Sequence, residues 1–557
     1  MTDSARTPTP IDAIADAWID TVAELSPTTA TYIGRSEYDD RFGDYSPDGA
    51  ERAVEAARTT LSVLDAATPV DDIDRITRDD LSRELRLDIE LHDAQASLRD
   101  LNVIASPAQD IRAVFDLMST DSVDDWHVVA RRLGAVPAAT DGYIATLREG
   151  IARGVVPARR QVTEVLTQLE RYTADTGFFA TFAADAAPAE GQLPASLARE
   201  LSDQAGAARV AYDDLGRFLA DELAPAAVED DAVGRELYAL HSRRFLGAEI
   251  DLDETYEWGV EELARMVAEQ ESIADEILPG ASVEEAVAHL EADPSRKLHG
   301  TDALQRWMQE TSDRAVAELG RTHFDIPEPI RRLECMIAPT QEGGIYYTGP
   351  TDDFSRPGRM WWSVPEGVTE FDTWRELTTV YHEGVPGHHL QIAQAVYNRS
   401  QLNSWRRLLA GTSGHAEGWA LYAERLMEQL GYLDDPADRL GMLDGQRMRA
   451  ARVVLDIGVH LRKPRPDGDG VWDHDYALAF MRRNVNMSDA FIQFEVNRYL
   501  GWPGQAPSYK VGQRIWEQIR DEAQEAAGPA FSIKDFHKRA LDVGGVGLDT
   551  LRAALRV

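Results

Sequence analysis

The sequence predicts a mainly α protein, a large helical fold with a small antiparallel strand element, and three observations predict it. Apolar residues recur three and four apart through most of the 557 residues, strong helix formers fill the positions between, and Gly and Pro punctuate the runs. One aromatic stretch rich in Gly and Pro, Cys335 to Pro365, breaks that pattern. A hydrophobic content of 43%, with 12 Trp, 17 Tyr and 15 Phe, demands a core and excludes disorder as the main state. A chain this long buries about 75% of its unfolded surface and needs no disulfide, and Cys335, the single cysteine, can form none within the chain.

Taken in order, helical patterning runs from Pro10 to about Gly320. Examples are AERAVEAARTTLSVLDAA from Ala50 and ASLARELSDQAGAARVAYDDLGRFLADEL from Ala195. No fixed-period repeat and no long polar linker divides the chain, so residues 1–330 and 331–557 are expected as two halves of one continuous fold. Within the aromatic stretch, Gly344–Tyr347 and Met360–Val364 carry strand composition. Helical patterning resumes at Phe371 and holds to the C-terminus, broken at Lys463–Gly470 and at Trp502–Pro507.

Charge narrows the partners. Asp and Glu number 96 against 57 Lys and Arg, a net −39 that repels phosphate backbones and anionic membranes, so neither nucleic acid nor membrane is an expected partner. The N-terminal segment lacks a basic region followed by an apolar one, and no apolar run is long enough to span a bilayer. These features predict a cytoplasmic protein.

Residues 381–389 read YHEGVPGHH, placing three of the 13 His within eight residues and beside a Glu. Two His at i and i+4 lie about 40° apart on a helix and can face one metal, with an intervening Glu near the metal's water. Here the spacing is longer. His382 and His388 stand about 240° apart on an ideal helix, whereas His382 and His389 are nearly aligned but separated by about 10.5 Å of rise. Pro386-Gly387 resolves this, because a two-residue bulge at that step returns His388 to the place of an i+4 ligand. His382 and His388 are therefore the preferred metal pair, with His389 as a reserve ligand or supporting group. The plainer alternative, a structural His group on a helix end, accounts less well for three His with a Glu and a Pro-Gly break.

A third ligand is expected on a neighbouring helix. In GHAEGWALYAERL, Glu417 lies 29 residues after His388 among Ala, Gly, Trp and Leu, a setting that implies burial and hence a partner for the carboxylate. Glu424, seven residues on, shares its helix face. An ordinary solvated Glu is the common alternative for any single position.

The strings YHEGVPGHHLQIA, HAEGWALYAERL, RMRAARVVLDIGVH, FEVNRYLGWPGQAPSYKVGQ and DFHKRALDVGGVGL together resemble the bacterial family labelled domain of unknown function 885. The resemblance is clear over roughly the last 220 residues, and GGIYYTGPTDDFSRPG adds to it. That family is similar in expected fold to the helical zinc carboxypeptidases of the Taq type and to the neurolysin-like oligopeptidases, whose His-Glu-x-Gly-His pattern is completed by a later Glu. The resemblance thus implies a metallopeptidase-like helical fold, with the strand element beside the active-site groove. It also implies one zinc ion, and matching the Gly-His pair to Gly387-His388 favours His388 over His389. The departure is the two extra residues between the His.

A metallopeptidase of short peptides is then the leading expectation, with zinc on His382, His388 and Glu417 and Glu383 as general base. Tyr509, or failing it His460, would steady the oxyanion. Asp456 lies four residues before His460 and within hydrogen-bonding reach on the same helix face. Arg498 and Arg356 are candidates to grip a substrate carboxylate, and the strand over residues 343–347, which ends in Tyr347, is a candidate edge for an extended peptide. Cys335 reads as a small buried residue. The alternatives are a hydrolase of a non-peptide amide or ester, and a binding protein that has lost catalysis. A di-iron bundle requires Glu-x-x-His pairs, and none of the 13 His has a Glu three residues before it.

Overall fold

The computed structural model describes residues 6–338, 344–468 and 470–556. Helices start where the sequence supplies caps. Thr9 and Asp12 form a reciprocal capping box on Pro10–Leu25, as do Ser122 and Asp125 on Val123–Arg153, and Ser282 and Glu285 on Val283–Glu291. Pro27, Pro47, Pro107 and Pro436 each occupy a first helical turn, where the missing N–H costs nothing. The two N-terminal runs singled out by periodicity form the helices Pro47–Ala66 and Ala195–Phe218.

Among the described residues, the three largest apolar cores organise these helices. One joins Ile11, Trp18, Leu81 and Leu85 to Trp405, tying the first helices to the C-terminal part of the chain. A second lies between Val123–Arg153 and Ala195–Phe218 and includes Phe115, Trp126, Tyr143 and Tyr212. The largest runs from Tyr238 to Leu555 and takes in residues from both expected halves. Its framework is two helix pairs, Leu252–Ile277 against Pro436–His460, and Ser413–Gln429 against Ser508–Ala527.

The second pair crosses at backbone contact. A Cβ on Gly418 would stand 2.4 Å from the Gly512 carbonyl carbon, and one on Gly512 would stand 2.4 Å from the Gly414 carbonyl oxygen. Only glycines allow this approach, and it fixes Glu417 and Tyr509 as neighbours.

Among the described residues, five short strands complete the fold: β1 (Lys297–His299), β2 (Leu333–Ile337), β3 (Ile345–Thr348), β4 (Gly358–Trp362) and β5 (Glu370–Asp372). The two strands expected from composition pair antiparallel, with Ile345 opposite Trp362. The sheet is not purely antiparallel, however. β2 adds a parallel strand, Leu333 opposite Gly358, giving the order β2-β4-β3, while β1 and β5 form a separate antiparallel pair. β3 is an edge strand, and Gly343 at the start of the expected peptide-pairing segment lies outside the described residues. Cys335 is buried in β2 against Ser312, and burial raises its thiol to about 11, which fits a packing role.

Replacing Gly418 with Ala is expected to force the Ser413–Gln429 and Ser508–Ala527 helices apart. The cost is about 1–3 kcal/mol, read as a lowered midpoint in urea unfolding with an unchanged slope.

Candidate metal centre

β5 ends in Asp372, and the helix Thr373–Glu383 begins at the next residue, carrying His382 and Glu383 in its last turn. The expected bulge within a continuous helix is corrected here. The helix stops at Gly384, the Val385–Pro386 peptide is cis, and a second helix, His388–Tyr397, starts after Gly387. Backbone bonds from Gly387 N to Tyr381 O (3.0 Å) and from His389 N to Gly384 O (3.2 Å) close the turn, and the Trp419 indole donates to Pro386 O (2.9 Å). Gly387 is required: a Cβ there would lie 1.9 Å from the His382 carbonyl oxygen.

This reversal brings the two imidazoles together by a different route from the one expected. Their ring centroids are 4.8 Å apart at an interplanar angle of 89°. Glu417, from the first turns of Ser413–Gln429, places Oε2 3.3 Å from His382 Nε2 and 3.6 Å from His388 Nε2. Two ligands about 2.1 Å from a tetrahedral zinc stand about 3.4 Å apart, so both spacings suit one ion. Glu417 Oε2 is buried without a hydrogen-bond partner, while the side chain as a whole remains 23% exposed, leaving the cluster reachable from that side.

Glu383 also belongs to the cluster: His382, Glu383 and His388 each bring a ligand-type atom within 4.8 Å of the other two. Glu417 is the better placed of the two to complete a donor set with the imidazoles, because one of its oxygens faces both Nε2 atoms. Glu383 is then free beside them, its carboxyl raised by burial against the opposing pull of His388 and His382.

His382 is held from its far side. Its Nδ1 donates to Glu424 Oε1 (2.7 Å), and Glu424 Oε2 accepts from Gln446 Nε2 (3.0 Å). Gln446 Oε1 accepts from Lys510 Nζ (2.8 Å), which also donates to Gln513 and pairs with Glu262 at 3.1 Å. Burial disfavours the His382 imidazolium, but the Glu417 and Glu424 carboxylates facing its two nitrogens prevail and raise it to about 10. Burial opposes the ionised forms of Glu417 and Glu424 as well, yet the imidazoles hold both below the usual carboxylate range. A site that keeps a proton this tightly favours any cation.

Tyr509, in the first turn of Ser508–Ala527, has Arg449 and Arg452 over its ring, at 5.9 and 5.3 Å from the centroid. Burial, reinforced by Glu417, raises its phenol to about 12, so it remains a donor at neutral pH.

Other candidates are placed elsewhere, and the reasons are competing partners. His389 turns away from the cluster: Nε2–H donates to Ile330 O (2.7 Å) and Nδ1 accepts from the Tyr347 hydroxyl (2.9 Å), occupying both ring nitrogens and the Tyr347 side chain at once. His460 sits 14 residues after Gln446 on one helix, about 21 Å along its axis. Its expected bond to Asp456 is absent, the gap from Nε2 to Oδ1 being 4.0 Å: His460 Nε2 donates instead to Tyr499 O, and Asp456 is held through Oδ2 by Tyr238 (2.6 Å) and Gly504 N (2.8 Å), leaving Oδ1 without a partner. Arg498 spends Nε and Nη2 on Glu495 and Nη1 on Gln505, pinning the loop before Tyr509. Arg356 donates to Gly349 O and Pro357 O and shapes the β3–β4 connection. A cavity of about 420 Å³ behind that loop, lined by Leu101, His241, Phe245, Leu500 and Trp502, includes none of the cluster residues.

Sequence reasoning missed Gln446, Lys510 and Arg449 and gave Glu424 no task. The available signal was the seven-residue step from Glu417 to Glu424 within an apolar helix, which marks two buried carboxylates on one face.

The chain belongs to the family described as "Bacterial protein of unknown function (DUF885)", whose profile matches residues 27–555. No match was found among curated protein sequences. A solved structure from Colwellia psychrerythraea, described as a "putative lipoprotein", is similar with a TM-score of 0.85 at 21% identity, over 98% of each chain. One from Shewanella oneidensis, described as a "putative lipoprotein of unknown function", has a TM-score of 0.76 at 18% identity, over 98% of this chain and 99% of that one. A weaker likeness, with a TM-score of 0.36 at 14% identity over 91% of this chain and 94% of the other, is to Pyrococcus furiosus carboxypeptidase. The cytoplasmic location expected from the sequence is corrected by the first two, since proteins of this fold are described as lipoproteins. Among the described residues, no helix is long and apolar enough to cross a membrane.

The His382 proton gives the metal-free protein a defined pH response. Held up to about 10 in the folded chain but released near 6.5 in the unfolded one, it stabilises the fold in full below about 6.5, and that stabilisation is lost as pH rises through about 10. Urea unfolding of chelator-treated protein is expected to place His382→Asn well below wild type at pH 6, with the gap closing above pH 10.

Proposed function

We propose that the chain is a zinc-dependent hydrolase of peptide bonds in short peptides, on the strength of one observation. Two imidazole Nε2 atoms converge on a single buried, otherwise unpartnered carboxylate oxygen, and a second carboxylate stands free beside them. Two nitrogens and one carboxylate oxygen are a donor set suited to catalytic zinc, with His382, His388 and Glu417 as the residues that would hold it. Zinc supplies Lewis acidity there and brings the pKa of water to about 7.

Every other part of the reading falls to side chains of this chain. Glu383, raised by burial and adjacent to the ligands, accepts the proton of the attacking water and passes it to the leaving amine. Tyr509, protonated up to about 12, donates to the carbonyl oxygen as charge gathers on it. Glu424 orients His382 and keeps its Nε2 directed at the site. The β3 edge, packed beside the His382 helix, offers an extended peptide unpaired backbone groups. Hydrolysis of a non-peptide amide or ester would use the same groups, and the β3 edge is what favours a peptide.

Purified protein is expected to carry about one zinc per chain by elemental analysis, and His388→Ala or Glu417→Ala to lose it. Glu383→Gln should keep the zinc yet cut kcat by about 10²–10⁴-fold on a short-peptide library read by mass spectrometry; unchanged turnover would remove Glu383 from the mechanism. Glu424→Gln is expected to weaken zinc binding about 10–100-fold. Tyr509→Phe should lower kcat about 10²–10³-fold with little change in KM.

A further inference from the structure

We propose that Arg449 receives the free α-carboxylate of the peptide, so that the chain removes C-terminal residues; this rests on the hydrolase reading above. Arg449 lies on the Pro436–His460 helix, three residues after Gln446, the residue bonded to Glu424. Its Nε is buried with no partner, and the side chain makes no hydrogen bond or ion pair among the described residues. The two neighbouring cations of the cluster are spent. Arg452 binds Glu495 and the Tyr499 hydroxyl, and Arg498 binds Glu495 and Gln505. In a chain of net charge −39, a half-buried guanidinium without an ion pair, set over the Tyr509 ring, is placed to receive an anion.

Its position matches the chemistry. In a C-terminal residue the α-carboxylate carbon is three bonds from the scissile carbonyl carbon, so its receptor must adjoin the group that binds the scissile oxygen. Arg449 does adjoin that group, its Cζ lying 5.9 Å from the Tyr509 ring centroid. A planar guanidinium grips a carboxylate through two N–H donors, whereas an internal peptide bond at the same place would leave the cation unpaired. Gly445 makes the pose possible. A Cβ there would stand 2.6 Å from Arg449 Nη1, so the guanidinium folds back over the space the glycine leaves.

The test is calorimetric binding of an N-acylated dipeptide acid and of its C-terminal amide to Glu383→Gln protein, with and without added zinc. The acid is expected to bind about 10–100-fold tighter than the amide. Arg449→Ala should abolish that preference while moving amide affinity less than twofold, and Arg449→Lys should keep part of it. Gly445→Ala, which favours the helix and should not lower the melting temperature, is expected to reduce the preference by displacing the guanidinium. Equal binding of acid and amide, absence of binding by either, or a preference that survives Arg449→Ala overturns the proposal. Acid-selective binding by a wild-type protein that, loaded with zinc, hydrolyses no peptide would instead overturn the hydrolase reading and leave Arg449 as an anion receptor.

Discussion

The structure around the candidate metal centre depends on His382 being held between two carboxylates, Glu417 and Glu424. The order of donors in that arrangement follows from its far end. Lys510 can only donate, so the Gln446 amide must turn its oxygen to Lys510 and its nitrogen to Glu424. Glu424 therefore has one oxygen satisfied and offers the other to His382, whose Nδ1 must donate. Nε2 is left facing Glu417 and His388, available to a proton or to a metal. A lysine about as buried as any group in the chain thus fixes the tautomer of an imidazole three hydrogen bonds away. It is itself held by Glu262 and Gln513, so that no charge in the series is left without a counterpart.

Precision at this scale comes from backbone contacts and not from the side chains that line the site. Gly414, Gly418 and Gly512 let two helices meet at van der Waals distance, and Gly441 lets the long Pro436–His460 helix touch the carbonyl of Trp374 at the start of the His382 helix. The four elements that supply His382, Glu417, Gln446 and Tyr509 are locked to one another by these crossings. A methyl group at any of them would separate ligands whose useful spacing varies by only a few tenths of an ångström.

Much of this was legible in the sequence, and the part that was not has a consistent cause. Periodicity identified the long helices, because burying one face of a helix is a property of the segment itself. The Pro-Gly step announced that His382 and His388 would converge, although the backbone achieves it by ending one helix and starting another. What spacing could not give was competition. Asp456 and His460 are correctly placed four residues apart, but the Tyr499 carbonyl, 39 residues later, takes the imidazole N–H. Arg498 and Arg356 have the right chemistry for a substrate carboxylate, but Glu495 and two backbone carbonyls reach them first. His389 falls to Tyr347 and Ile330 in the same way. The β2 strand was missed because its parallel partner lies across an intervening strand, a pairing no local pattern encodes.

The same competition explains how an acidic chain can gather three arginines around Tyr509. Over distances beyond about 8 Å, salt screens individual charges and the net −39 draws cations toward the surface, which favours loading a divalent metal. Within the pocket the balance is local. Glu495 sits between Arg452 and Arg498, which hold it down to about 2 against burial, and its single negative charge neutralises only one of the two guanidinium groups. Arg449 then adds a charge that no described carboxylate pairs with. The surplus positive charge lies with Arg449 and Arg452 over the Tyr509 ring, and the carboxylates of Glu383, Glu417 and Glu424 gather around His382, so the charge of the site is divided between two neighbouring groups of side chains.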